Sequence, residues 1–217
     1  MTDVHNLGLF ILAGWLLNLT PGPDVLYIVS SALRSGAKAG VVAALGITAG
    51  CFVHIFAAAL GVSALMAASS TAFTALKWAG AAYLFYVGLK LVLSPGTKPV
   101  ELTAANPVQT SDKHLKSIFF KGFLTNTLNP KVALFFLAFV PQFIAPQASH
   151  PALTFVLLGV LFNVNALPVN VGYALLAAWA TRRLTAVQRT MHWLDRVAGV
   201  MFVGFGIRLA LTEAPGG

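Results

Sequence analysis

Apolar residues along this chain gather into six long runs, at approximately 7–33, 40–66, 72–93, 118–144, 152–178 and 194–212. A helix needs about 20 such residues to cross the hydrocarbon core of a bilayer, so the pattern predicts six transmembrane helices. The first and fourth runs exceed a straight crossing by about seven residues, and each contains a proline break, Thr20-Pro21 and Asn129-Pro130. The longest polar stretch, SPGTKPVELTAANPVQTSDKHLK at 94–116, reads as a solvated linker between the third and fourth runs. It divides one transmembrane domain, 1–217, into a repeat at 1–93, a loop at 94–117 and a second repeat at 118–217.

The two repeats resemble each other. Residues 76–93, LKWAGAAYLFYVGLKLVL, lie without gaps on 194–211, LDRVAGVMFVGFGIRLAL, which matches Gly88 with Gly206 and Lys90 with Arg208. Phe10 and Pro21 likewise lie on Phe119 and Pro130. Three crossings per repeat is an odd number, so the repeats must be inverted in the membrane. The predicted fold class is therefore all-α and polytopic, with six helices as two inverted three-helix repeats and helices one and four broken at prolines. Such repeats with broken helices mark transporters, whose sites lie near the midplane.

Composition agrees. Of 217 residues 58% are hydrophobic and only 9% charged, with a mean hydropathy of +0.81. Soluble domains carry about a quarter charged residues, so this chain lacks the means to build a charged shell. The net charge of +8 comes from 14 basic residues scattered singly, without a basic run and interleaved aromatics, which leaves nucleic acid out. Their placement sets an orientation instead. Arg34, Lys38, Lys90, Lys98, Lys113, Lys116, Lys121, Arg182, Arg183, Arg189 and Arg196 fall on one set of loops, Lys77 and Arg208 on the other. The positive-inside rule then puts both termini in the periplasm. The opening MTDVHN lacks the basic start of a cleaved signal peptide, so the first run is expected to stay.

Chemistry concentrates at the two breaks. A break within the membrane frees carbonyls from one half-helix and N–H groups at the start of the next, and neither can face lipid. Thr20 and Asn129 read as N-caps, each followed by a proline suited to the first helical position. Gly22 and Pro23 extend the first interruption. Free N–H groups suit a carboxylate, whereas carbonyls and Asp24 suit an ammonium. Asp24 has three candidate roles: binding a substrate ammonium, carrying a coupling proton, or pairing with Lys131 beside the matching break. Proline kinks for packing and a snorkelling Lys131 stem are the structural alternatives.

Among the remaining polar groups inside the runs, Asn163 and Asn170 share a face and Asn126 precedes Asn129 by one turn. His54 reads first as a hydrogen-bonded histidine, and Thr48, Thr125 and Thr127 as interhelical hydrogen-bonding groups. Gly40, Gly46, Gly50, Gly61, Gly80, Gly88 and Gly204 read as close-packing positions, and Trp15, Trp78, Trp179 and Trp193 as interface anchors or packing. A lone Cys51 makes no internal disulfide, and no cluster has metal-site spacing.

LTPGPDVLYIVSSALRSGAKAGVVAALGITAG at 19–50, LKWAGAAYLFYVGLKL at 76–91 and FKGFLTNTLNPKVALFFLAFVPQF at 120–143 together resemble the LysE/RhtB amino-acid exporters, including the threonine, homoserine and leucine efflux proteins. The resemblance spans nearly the whole chain. It implies a non-enzymatic, cofactor-free secondary transporter of the bacterial inner membrane, moving amino acids or close derivatives, neutral ones first, against protons. It admits a homodimer. The family's motif positions carry over as Pro21, Gly22, Pro23, Asp24, Asn126, Asn129, Pro130 and Lys131; Thr20 completes the expected binding set, with Asn163, Asn170 and His54 as secondary candidates. Two alternatives remain. A metal-cation exporter would need more converging carboxylates, thiols or imidazoles than Asp24, Cys51 and His54. A membrane thiol-redox protein would need a cysteine pair.

Overall fold

The computed structural model describes residues 3–68 (without the side chains of 62–68), 111–145 and 148–180, and isolated positions between 74 and 93 and between 196 and 207. Most of the third and sixth apolar runs, the 94–110 linker and the matched segments of the two repeats lie outside the described residues. So do Gly80, Gly88 and Trp193.

Among the described residues every regular element is helical: α1 (Leu7–Leu19), α2 (Pro23–Ala68), α3 (Asp112–Thr127), α4 (Pro130–Leu134) and α5 (Pro151–Trp179). The chain beyond α4 continues as a π-helical turn, Phe135–Phe139, and a tighter turn, Val140–Phe143. One isolated antiparallel bridge joins Val4 and Ile144.

α1 has 13 residues, about 20 Å of helix at 1.5 Å per residue, and crosses only part of a bilayer. After the interruption at Thr20–Gly22 the crossing resumes with the first arm of α2. A straight helix of 46 residues would be about 69 Å long, more than twice the hydrocarbon thickness. Gly36 prevents that: its φ of 81° and ψ of 175° belong to glycine, and the chain doubles back there. A Cβ on Gly40 would stand 2.7 Å from that of Ala32, eight residues earlier. Thus α1 and the first arm of α2 occupy the apolar run at 7–33, and the second arm occupies the run at 40–66.

α3 and the Pro130–Phe143 segment form a pair bent by 47° at the proline break, long and apolar enough together to cross a membrane. α5 has 29 residues and is apolar enough to cross alone. Its internal Pro168 is exposed and leaves the helix continuous. Six crossings are not countable from the described residues, but the two breaks are present where the proline pattern put them.

α2 lies between α3 and α5 and packs on both. The contact with α3 is close because Gly46 has no side chain: a Cβ there would collide with the carbonyl of Phe119. Gly40 and Gly50 also sit in close contacts, whereas Gly61 and Gly204 face open space. Two apolar clusters result. One gathers Phe10, Phe135, Phe136, Phe143, Phe155 and Phe162; the other gathers Ile28, Ala43, Ile47, Leu115, Ile118 and Ala174. Outside them, Leu60, Leu128 and Trp179 are more than 70% exposed, as suits a surface solvated by lipid chains. Trp15 and Trp78 are exposed as well.

Candidate functional site

The two broken crossings meet at Asp24. It lies in the first turn of α2, where the unpaired N–H groups and positive dipole end favour a carboxylate. Asn126 Nδ2, from the last turn of α3, donates to Asp24 Oδ2 at 2.9 Å, and Asn129 Nδ2 donates to the same oxygen at 3.0 Å. Asn129 also caps α4: its Oδ1 accepts from the backbone N–H of Lys131 at 3.0 Å, with Pro130 in the first helical position. The second break is therefore the helix start that the sequence predicts.

The first break differs. Thr20 closes α1 rather than opening α2, and both its backbone N–H and its hydroxyl donate back to the carbonyl of Leu16. The second half-helix begins at Pro23, and the N–H of Leu26 bonds to the carbonyl of Gly22. Thr20-Pro21 is thus a helix end with the start displaced two residues downstream. The reason is local: Thr20 satisfies a carbonyl at the end of α1, leaving Gly22 to enter the next helix.

Lys131 reaches back to the first break. Its Nζ donates to the carbonyls of Leu17 at 3.2 Å and Thr20 at 3.1 Å, and it lies within electrostatic reach of Asp24. The hydroxyl of Tyr173 in α5 donates to the carbonyl of Leu19 at 2.9 Å. The exposed end of α1 is therefore covered by groups from α4 and α5, which in a low-dielectric site spares a cost of several kcal/mol per group.

A narrow cavity opens beside this junction, between the two apolar clusters. Asn18, Asp24, Asn126, Lys131, Asn163 and Asn170 contribute its polar wall, with Thr48 and Cys51 from α2 and Phe162 from α5. Asn163 and Asn170 stand in the middle stretch of α5, so the cavity lies between the two ends of that helix. Three buried polar atoms of its wall have no hydrogen-bond partner among the described residues: Asn18 Nδ2, Asp24 Oδ1 and Asn126 Oδ1. One is a donor and two are acceptors. Unsatisfied groups of this kind are expensive unless a ligand or water fills them.

The other sequence candidates take supporting places. His54 donates from Nε2 to the backbone carbonyl of Asn126 at 2.8 Å, one layer behind the carboxylate. Asn163 Nδ2 donates to the carbonyl of Thr48 at 3.0 Å and so joins α5 to α2. Pro23 and Pro130 are exposed; they shape the breaks without lining the cavity. The threonines depart from the interhelical expectation. Thr48 bonds to Ala44 and Thr125 to Lys121, each within its own helix, and the hydroxyl of Thr127 has no hydrogen-bond partner among the described residues. A hydroxyl one turn from a carbonyl finds it before it finds a neighbouring helix. Asn18 and Tyr173 lie outside the candidate set that the sequence pattern supplies. Asn18 carried a usable signal, a lone amide in an apolar run two residues before the break; nothing local marks Tyr173.

The profile of the LysE type translocator family matches residues 15–213. An uncharacterized membrane protein of Pseudomonas aeruginosa is 36% identical over 208 residues, covering 93% of each chain. One from Vibrio cholerae is 31% identical, covering 98% of this chain and all of its own. One from Bacillus subtilis is 28% identical, covering 96% of this chain and all of its own. No solved structure matches the chain.

Proposed function

Because this chain belongs to the LysE type translocator family, a family of membrane transporters, we propose that it exports amino acids or close derivatives across the bacterial inner membrane in exchange for protons. The observation that carries this reading is the amphoteric set of unpartnered atoms at the junction. Asp24 Oδ1 and Asn126 Oδ1 accept and suit an ammonium, while Asn18 Nδ2 donates and suits a carboxylate. A zwitterion satisfies all three at once. The wall adds Ile47, Thr48, Phe162 and Asn163, none of them charged, so the side chain of the substrate is neutral.

The cavity as it stands has room for little more than water, so a substrate needs the junction to part. Transport requires one broken crossing to rock against the other, parting the Asp24–Asn126–Asn129 junction. In the outward-open stage a proton on Asp24 competes with the substrate ammonium and releases it. A metal-cation exporter has no observation in its favour: among the described residues no three His, Cys, Asp or Glu side chains converge.

The test is exchange in proteoliposomes loaded with a panel of radiolabelled neutral, basic and acidic amino acids, with and without an imposed proton gradient. At least one neutral amino acid is expected to leave faster with the gradient, and Asp24→Asn is expected to abolish that acceleration. Proton-driven transport that survives Asp24→Asn would sink the coupling role. Failure of the whole panel would sink the substrate class.

A further inference from the structure

A helix that stops inside the bilayer ends in carbonyls with the negative pole of the dipole behind them, and it needs a cation there. In broken-helix transporters such unwound carbonyls are where a coupling cation is coordinated. At the end of α1 four carbonyl acceptors have donors. Leu16 takes both donors of Thr20, Leu19 takes Tyr173, and Leu17 and Thr20 converge on the Lys131 ammonium at 3.2 and 3.1 Å. That ammonium arrives from the first turn of α4, more than a hundred residues downstream.

Gly22 makes the approach open. A Cβ at this position would stand 3.1 Å from Nζ and 3.5 Å from Cε of Lys131. Asp24 adds a nearby carboxylate. Backbone oxygens at a half-helix end, a carboxylate in reach and room made by a glycine are together the surroundings of a bound monovalent cation, already occupied by a side chain.

We infer that the Lys131 ammonium is a tethered cation filling a monovalent-cation site at the α1 break. The protein therefore holds this break without an ion from solution, and it acquires a cation requirement when the ammonium is removed. This deepens the transporter reading by excluding sodium as the ion at this break. Its readout is stability and needs no substrate, so the two ideas fail separately.

The experiment uses the full-length purified protein in detergent. Its unfolding temperature is measured in choline, sodium, potassium and methylammonium chloride at equal ionic strength. The native protein is expected to unfold at one temperature in all four salts. Lys131→Ala is expected to unfold roughly 5 °C lower in choline and to recover saturably in at least one of the three small cations, while Lys131→Arg stays insensitive. Gly22→Ala keeps every charge but displaces the ammonium, and should show the same response at smaller amplitude. A native protein stabilised specifically by sodium or potassium overturns the inference. So does a folded Lys131→Ala that is indifferent to the cation. If Lys131→Ala does not fold, an indifferent Gly22→Ala overturns it in the same way.

Discussion

At the scale of single residues, Asn129 holds two bonds with one amide. Its oxygen caps α4 through the Lys131 N–H, and its nitrogen holds Asp24. Neither Ala nor Asp can do both. Asn129→Ala gives up the cap and one donor, which should cost about 1–3 kcal/mol in thermal unfolding. Asn129→Asp keeps a capping oxygen but sets a second carboxylate against Asp24, where like charges within a low dielectric repel strongly. The expected result is that Asn129→Asp retains more cap stability near pH 5 than near pH 8, as a shared proton relieves the repulsion. Transport in proteoliposomes near pH 8 should fall by roughly tenfold or more. Equal stability at both pH values would show that the two carboxyls are not in contact. The double duty of Asn129 was half visible in the sequence: Asn before Pro predicts the cap, but its second bond spans 105 positions.

At the scale of elements, two devices decide how the helices run: the left-handed glycine at the turn of α2 and the capped proline break before α4. Gly36 sits where L side chains meet the preceding carbonyl, so Gly36→Ala should destabilise the protein by about 1–3 kcal/mol. Gly8, a helical position with nothing near a built Cβ, provides the control: Gly8→Ala should be neutral or slightly stabilising. Unfolding temperatures of the two variants, measured side by side, check both. A Gly36→Ala protein as stable as the native one would mean that the turn is not held at that residue. The sequence announced the proline break, because proline removes a donor wherever it stands. It did not announce how the first break divides. Thr20 has the same chemistry at either end of a helix, and only the carbonyl of Leu16 beneath it decides that it closes one.

At the scale of the molecule, charge separates the two ends. The Gly36 turn, with Arg34 and Lys38, meets the start of α3 with Lys113 and Lys116; Ser35 Oγ lies 3.4 Å from His114 Nε2. At the opposite end the N-terminal segment meets the chain after α4, as His5 N–H donates to Phe143 O and Ala145 N–H to Asp3 O. No lysine or arginine stands there among the described residues. The positive-inside rule predicts that the Gly36 end faces the cytoplasm. With Cys51→Ser as background, a cysteine at Ser149 should react with a membrane-impermeant maleimide applied to intact spheroplasts, and one at Asp112 only after the membrane is opened. The reverse pattern would invert the orientation.

The sequence by itself determined that this is a membrane protein, where its long apolar helices fall, and that two of the apolar runs break at prolines. Each of these follows from transfer energies and backbone chemistry that act within about 20 neighbouring residues. It also marked Asp24 and Lys131, because charge deep in an apolar run is too costly to be incidental. What it left open was how they are used. Only the tertiary structure set two asparagines as hydrogen-bond donors to the carboxylate and turned the ammonium onto the end of α1. Those partners lie 102 to 114 positions apart in the chain. Their choice depends on which groups are buried together when the two broken helices meet, a fact that no local pattern encodes.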